Sequence, residues 1–133
     1  MTEVIFKGVS GRLHRFKAHR PEATFEDAPA VYCFVRPGLG GRGWMPLFLS
    51  RTGNLAKRLA THESWAEAER LGATHILVHE RDERDAREFV EADLLEALRP
   101  VMNGPVFDAG AEPAAAAPRD LQEYAIARFV RAA

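Results

Sequence analysis

Apolar residues recur along this chain with two periods, and the changes of period mark out its elements. Val4 to Lys7 and Leu13 to Phe16 are short strand-like runs joined by Gly8-Val9-Ser10-Gly11, which predicts an N-terminal hairpin. A polar stretch with Pro21 and Pro29 follows. Val31-Tyr32-Cys33-Phe34-Val35 and Pro46-Leu47-Phe48-Leu49 are continuous apolar runs rich in β-branched and aromatic types, the pattern of central strands. Between them, Arg36 to Gly43 carries four glycines. No Gly-Lys-Ser/Thr follows and the next element is a strand, so a mobile hairpin loop with Arg36 and Arg42 near a polyanion is expected rather than a phosphate cradle.

The helical period takes over at Asn54, which can cap a helix carrying Leu55 and Leu59 inward. Ser64 and Glu67 form a capping-box pattern for a second helix stopping at Gly72, so the two helices make an α-α corner. His75 to His79 returns as a strand. A long helix runs from about Glu83 to Leu98 and is ended by Pro100. Ala109 to Pro118 reads as an Ala/Pro linker, and residues 120 to 131 as an amphipathic helix through Leu121, Tyr124, Ala125, Phe129 and Val130.

A length of 133 residues, 47% hydrophobic and 28% charged, suits one compact domain with a modest core. Cys33 is the only cysteine, which excludes an internal disulfide and a thiolate metal cage and suits a reducing cytosol. No stretch approaches the roughly 18 apolar residues that span a bilayer, and no basic-then-apolar leader opens the chain, so a soluble cytoplasmic protein is expected. The net charge of -1 is unevenly spread. Residues 1 to 62 hold ten Lys or Arg against four acids, while 63 to 133 hold eight against fifteen. That asymmetry fits a basic face meeting phosphate, with mixed charge all round as the alternative. A pI near 6.5 is low for tight nonspecific DNA binding.

Some residues are candidates for chemistry on periodicity alone. Arg58 and His62 are four apart on one helix face, so a fork-shaped phosphate donor and a proton carrier could share a site, or form a solvated basic face. Glu91 borders the Val90, Leu94 and Leu98 stripe, where it could anchor a divalent ion or pair with Arg87 one turn earlier. Tyr32 reads as a buried structural tyrosine or a donor to water or phosphate. His75 and His79 share one strand face, as core-edge residues or a metal pair without a third ligand. Trp44 and Trp65 could stack on bases, or pack under the glycine loop and in the α-α corner.

Taken in order, several of these segments resemble the GIY-YIG nuclease family. Ala30-Val31-Tyr32 matches the first motif with its tyrosine, and Phe48-Leu49-Ser50 stands at the second. Arg51-Thr52-Gly53-Asn54-Leu55-Ala56-Lys57-Arg58-Leu59 is similar to the family's basic residue, turn, Asn-Leu and Lys-Arg run, and Arg58 falls ten residues after Phe48. His62 lies one turn further on. Glu91 precedes Pro100 by nine residues and Asn103 by twelve, like the family's closing Glu, Leu-Leu, Pro, Asn series. The hairpin Phe-Lys-Gly-x-Ser-Gly looks like a bacterial variant. Two positions depart from the pattern: Phe48 lacks the second motif's phenol, and Ser50 replaces its glycine.

The resemblance implies an α+β fold, a small and mostly antiparallel sheet flanked by helices, with an N-terminal hairpin (1–29), a GIY-YIG-like domain (30–108), a linker (109–118) and a C-terminal helix (119–133). It implies an endonuclease acting on DNA or RNA, with Tyr32, Arg58, His62 and Glu91 as catalytic residues, Arg51 and Lys57 binding substrate, and Mg²⁺ or Mn²⁺ on Glu91. The alternative is a noncatalytic scaffold that binds nucleic acid or a protein partner. The C-terminal helix could dock on the domain or on a partner, a homodimer being one such assembly, and no membrane is expected as a partner.

Overall fold

In the computed structural model, which describes residues 2–104, five strands form one sheet in the order β1-β2-β5-β3-β4. They are β1 (Glu3–Lys7), β2 (Leu13–His19), β3 (Ala30–Pro37), β4 (Trp44–Thr52) and β5 (His75–Glu80). Every neighbouring pair is antiparallel. Three helices complete the α+β fold: α1 (Leu55–Ala60), α2 (Trp65–Arg70) and α3 (Arg84–Leu98). The N-terminal hairpin belongs to the same sheet, because β2 pairs with β5 from Lys17↔Val78 to His19↔Ile76. None of the described helices is long and apolar enough to cross a membrane. The linker and C-terminal helix expected from the sequence lie outside the described residues.

The sheet is covered on both faces, which explains why β3 is an unbroken apolar run rather than an alternating one. Tyr32 and Phe34 face α1 and α2 with Leu47, Leu55, Ala68 and Ile76. Val31, Cys33 and Val35 point the other way, onto Val90, Leu94 and Leu98 of α3. The hairpin is covered only on the α3 side, by way of Val4, Phe6 and Phe16, so its strands alternate buried with exposed. Its open face carries Lys7, Leu13, Arg15 and Lys17.

The β4 run, expected as a central strand, is an edge strand. Pro46 has no N–H to give a neighbour, and an edge is where a sheet tolerates it. A register shift between Phe34 and Val35, which pair with Phe48 and Pro46, leaves Leu47 as the extra residue of a bulge. It puts Leu47 and Phe48 on the α1/α2 side, while Leu49 joins the α3 side. Asn103, in a short 3₁₀ turn after α3, closes part of the open edge. Its Oδ1 accepts from Leu49 N at 2.8 Å and its Nδ2 donates to Leu49 O at 2.9 Å, in place of a missing strand.

The ends of α1 and the exit of α2 follow local chemistry. Asn54 Oδ1 accepts from Lys57 N at 3.1 Å, and the Leu55 and Ala56 N–H groups donate to the carbonyls of Ala28 and Glu26. Gly72, at φ 103°, gives α2 its left-handed exit. Ser64, however, does not form the expected capping box. Its backbone is helical (φ -91°, ψ -5°) and its side chain makes no cap hydrogen bond, while Glu67 pairs with Arg70.

A buried polar cluster fixes the hairpin to α3. The Asp93 carboxylate accepts from Ser10 N, Ser10 Oγ and His14 Nε2, each at 2.8 Å. Gly8 lies against it so closely that a Cβ there would stand 1.8 Å from Asp93 Oδ2. Burial alone would raise the Asp93 pKa, but the hydrogen bonds from His14 and Ser10 outweigh it and hold the carboxyl below its ordinary value.

Candidate functional site

The α1/α2 face brings together three of the residues singled out from sequence. Tyr32 on β3 is 0% exposed, and its hydroxyl lies 2.7 Å from His62 Nε2 in the α1–α2 turn. Ser64 N donates to His62 Nδ1 at 3.1 Å. A neutral imidazole with Nδ1 accepting carries its proton on Nε2, so His62 donates to Tyr32. Ser50, directly across from Tyr32 on β4, and Arg58 on α1 also reach the phenol and favour its ionised form, yet burial dominates and raises the Tyr32 pKa.

His62 is walled by apolar rings. Phe34 and Phe48 lie 4.8 and 5.3 Å away, centroid to centroid, and Trp65 packs on Phe34 at 4.9 Å. Burial, reinforced by the Arg58 charge, lowers its pKa to about 4. At neutral pH the ring is therefore uncharged, with both nitrogens engaged. In this arrangement the His62 ring donates to Tyr32 and accepts from Ser64. Phe48 packs beside the pair, its ring 6.3 Å from Tyr32 and 5.3 Å from His62, centroid to centroid.

Arg58 is held as well. Its two terminal nitrogens meet Glu63 at 3.1 and 2.6 Å, a bidentate pair that raises its own pKa and puts Glu63 well below the carboxylate range. The guanidinium sits beside Tyr32, but a carboxylate already occupies the fork a phosphate would use.

Glu91 is elsewhere. Arg51 follows Leu49 by two residues and shares its α3 side of β4, and Arg51 Nε donates to Glu91 Oε1 at 2.9 Å. The same arginine approaches Glu88 at 3.7 Å, and Glu88 pairs with Arg84 at 3.1 Å. The expected partner, Arg87, turns instead to the carbonyls of Arg81 and Asp82. Arg51 and Glu91 thus meet each other but not Tyr32 and His62, which lie across the sheet. Lys57 is exposed on α1 and makes no ion pair among the described residues.

A metal site can be assessed from donor type. Glu88 and Glu91, three apart on one helix, carry the hard oxygens that Mg²⁺ or Mn²⁺ takes, and here both are engaged by arginines, Glu91 by Arg51 and Glu88 by Arg51 and Arg84. Among the described residues no three His, Cys, Asp or Glu side chains gather around one point. His75 and His79 do not form a pair: His75 Nδ1 lies 2.8 Å from Thr74 Oγ1, and His79 Nδ1 donates to Arg15 O at 2.7 Å.

Sequence reasoning missed Asp93 and Ser50. Asp93 gave a sign, being an acid on the apolar stripe with Val90 and Leu94. Ser50 became meaningful only when the strand register set it opposite Tyr32. Comparison with known protein families, characterised proteins and solved structures finds no match to this chain.

Proposed function

We propose that this chain is a GIY-YIG-like domain that binds nucleic acid without hydrolysing it. The observation that carries this is the closed Tyr32–His62 pair: a phenol with no exposed surface and an imidazole with no free lone pair. Phosphodiester hydrolysis needs an oriented water and a group to take its proton. Phe48 can do neither, and loss of a positioned base costs about 10²- to 10⁴-fold. His62 cannot replace it while Ser64 and Tyr32 hold both nitrogens. Glu91, kept by Arg51 on the opposite side of the sheet, is also out of line with Tyr32 and Arg58.

Nucleic acid is favoured as the ligand by the basic N-terminal half. The uncovered hairpin face presents Lys7 and Lys17, which make no ion pair among the described residues, together with Arg15. Cations on an uncovered sheet face can follow a phosphate backbone. Fluorescence anisotropy with labelled single-stranded and duplex 20-mers tests this. Binding should weaken as salt rises and lose most of its salt dependence in Lys7→Glu/Lys17→Glu; no binding to either ligand at low salt would refute it.

The competing reading, metal-dependent hydrolysis, draws on Glu88 and Glu91. When bound there, Mg²⁺ would supply positive charge to a phosphoryl oxygen. This chain's residues would then have to move: Arg51 away from the carboxylates, Arg58 from Glu63 to phosphate, and Tyr32 into contact with water.

A further inference from the structure

We propose that the cavity at the Trp44 end of the sheet receives one unpaired base of single-stranded nucleic acid. The proposal rests on nucleic acid being the ligand of this chain, and adds where and in what form it is read.

The cavity measures about 570 Å³ and is lined by Ala18, His19, Trp44 and His75, with the Arg20–Glu22 ion pair at its rim, among others. It lies three to five residues beyond Tyr32 along β3. Tyr32 and Ser50 pair near the start of β3, whereas Trp44 pairs with Pro37 at its end and His75 with Val35. The volume is in the range of small-ligand sites and leaves room for a base with part of its sugar.

The lining suits a flat, uncharged, hydrogen-bonding group. The Trp44 indole and His75 ring meet at 4.7 Å and 61°, so a base stacked on one presents its edge toward the other. Burial, aided by Arg20 for His75 and by Lys17 for His19, lowers both imidazole pKa values and keeps the rings neutral. With His75 Nδ1 beside Thr74 Oγ1, its Nε2 and the His19 ring remain to donate to or accept from the edge of a base. Phosphate would be met at the rim. Arg20 gives only its Nε to Glu22, with its side chain 70% exposed, and Arg42 is exposed in the loop leading into Trp44. Stacking on Trp44 needs a base freed from its own stack, so single strands are preferred over duplex.

Trp44 and Trp65 are the two tryptophans, so Trp65→Phe leaves Trp44 as the sole indole reporter. In that background, a ten-nucleotide single strand should quench Trp44 saturably and shift the His19 and His75 imidazole resonances, while a duplex of the same sequence and inorganic phosphate should not. Trp44→Ala should weaken single-strand binding roughly 5- to 150-fold, the effect typical of one lost stacking partner. Because Trp44 also packs against the core, His75→Ala and Arg20→Ala, at the cavity surface, provide a second test and should each weaken binding. Single-strand binding that leaves Trp44 fluorescence and both histidines unchanged would overturn the cavity assignment alone. Equal quenching by inorganic phosphate would overturn base stacking. Absence of binding to any nucleic acid would overturn the proposed function as well.

Discussion

Replacing Asp93 by alanine should destabilise this domain more than removal of any exposed charge. The carboxylate is 4% exposed and accepts three hydrogen bonds, each at 2.8 Å, two from Ser10 and one from His14. Hydrogen bonds to a charged group contribute roughly 1.5–3 kcal/mol each when taken singly, but three on one carboxylate do not add. Leaving His14 and the Ser10 N–H without their acceptor sets the loss at about 3–5 kcal/mol. A small domain loses roughly 4–8 °C of Tm per kcal/mol, so a 3 kcal/mol loss corresponds to roughly 12–24 °C. Urea unfolding followed by tryptophan fluorescence measures it. Gly8→Ala attacks the same contact from the other side, placing a Cβ 1.8 Å from Asp93 Oδ2. Once the carboxylate is gone the clash goes too, so the double variant should cost clearly less than the sum of the two. A loss below about 1 kcal/mol for Asp93→Ala, or strict additivity in the cycle, would refute the reasoning. The pH dependence has a definite sign. The folded Asp93 carboxyl is held below its unfolded value of about 3.9, so its stabilisation is complete above that pH and is lost as pH falls through the folded value. Asp93→Asn should lack this acid-sensitive component.

Three further outcomes follow from the site and its surroundings. Tyr32→Phe removes the acceptor for His62 Nε2–H in a buried setting and should cost about 1–3 kcal/mol in the same unfolding assay. The His62 ring should titrate near pH 4 by NMR; since the unfolded chain takes up that proton near 6.5, stability should decline as pH drops from about 6.5 toward 4. Asn103→Ala should expose the β4 edge, with faster hydrogen exchange at the Leu49 amide and a loss of about 1–2 kcal/mol.

Much of the fold was legible because it is written locally. Two short apolar runs joined by Gly8-Val9-Ser10-Gly11 marked the hairpin, the doubly covered β3 showed as a continuous apolar run, and Gly72 and Pro100 marked helix ends. What escaped was the choice of distant partners. Glu91 has Arg87 one turn away, yet pairs with Arg51, forty residues distant, because Arg87 is drawn to carbonyls at the start of α3. The Ser64-x-x-Glu67 pattern was correct as a pattern and failed because the Ser64 N–H serves His62. β4 read as central because nothing local distinguishes a covered edge strand, although Pro46 hinted at it. Within the candidate site, the helix face expected to carry both Arg58 and His62 does not form, because α1 ends at Ala60 and His62 sits in the turn beyond it, yet that turn still places both beside Tyr32. Neither the engagement of His62 by two partners nor the sheet's separation of Glu91 from Tyr32 can be inferred from spacing.

The most direct test of a binding domain without a hydrolytic centre is a native-gel assay of labelled branched DNA with Mg²⁺ or Mn²⁺, comparing the wild-type chain with Glu91→Ala and Arg58→Ala. The expected result is DNA retarded by the protein and recovered uncut after deproteinisation, with cutting no higher than in the two variants. Metal-dependent cleavage that disappears in both variants would contradict the account and establish a nuclease that works around Phe48.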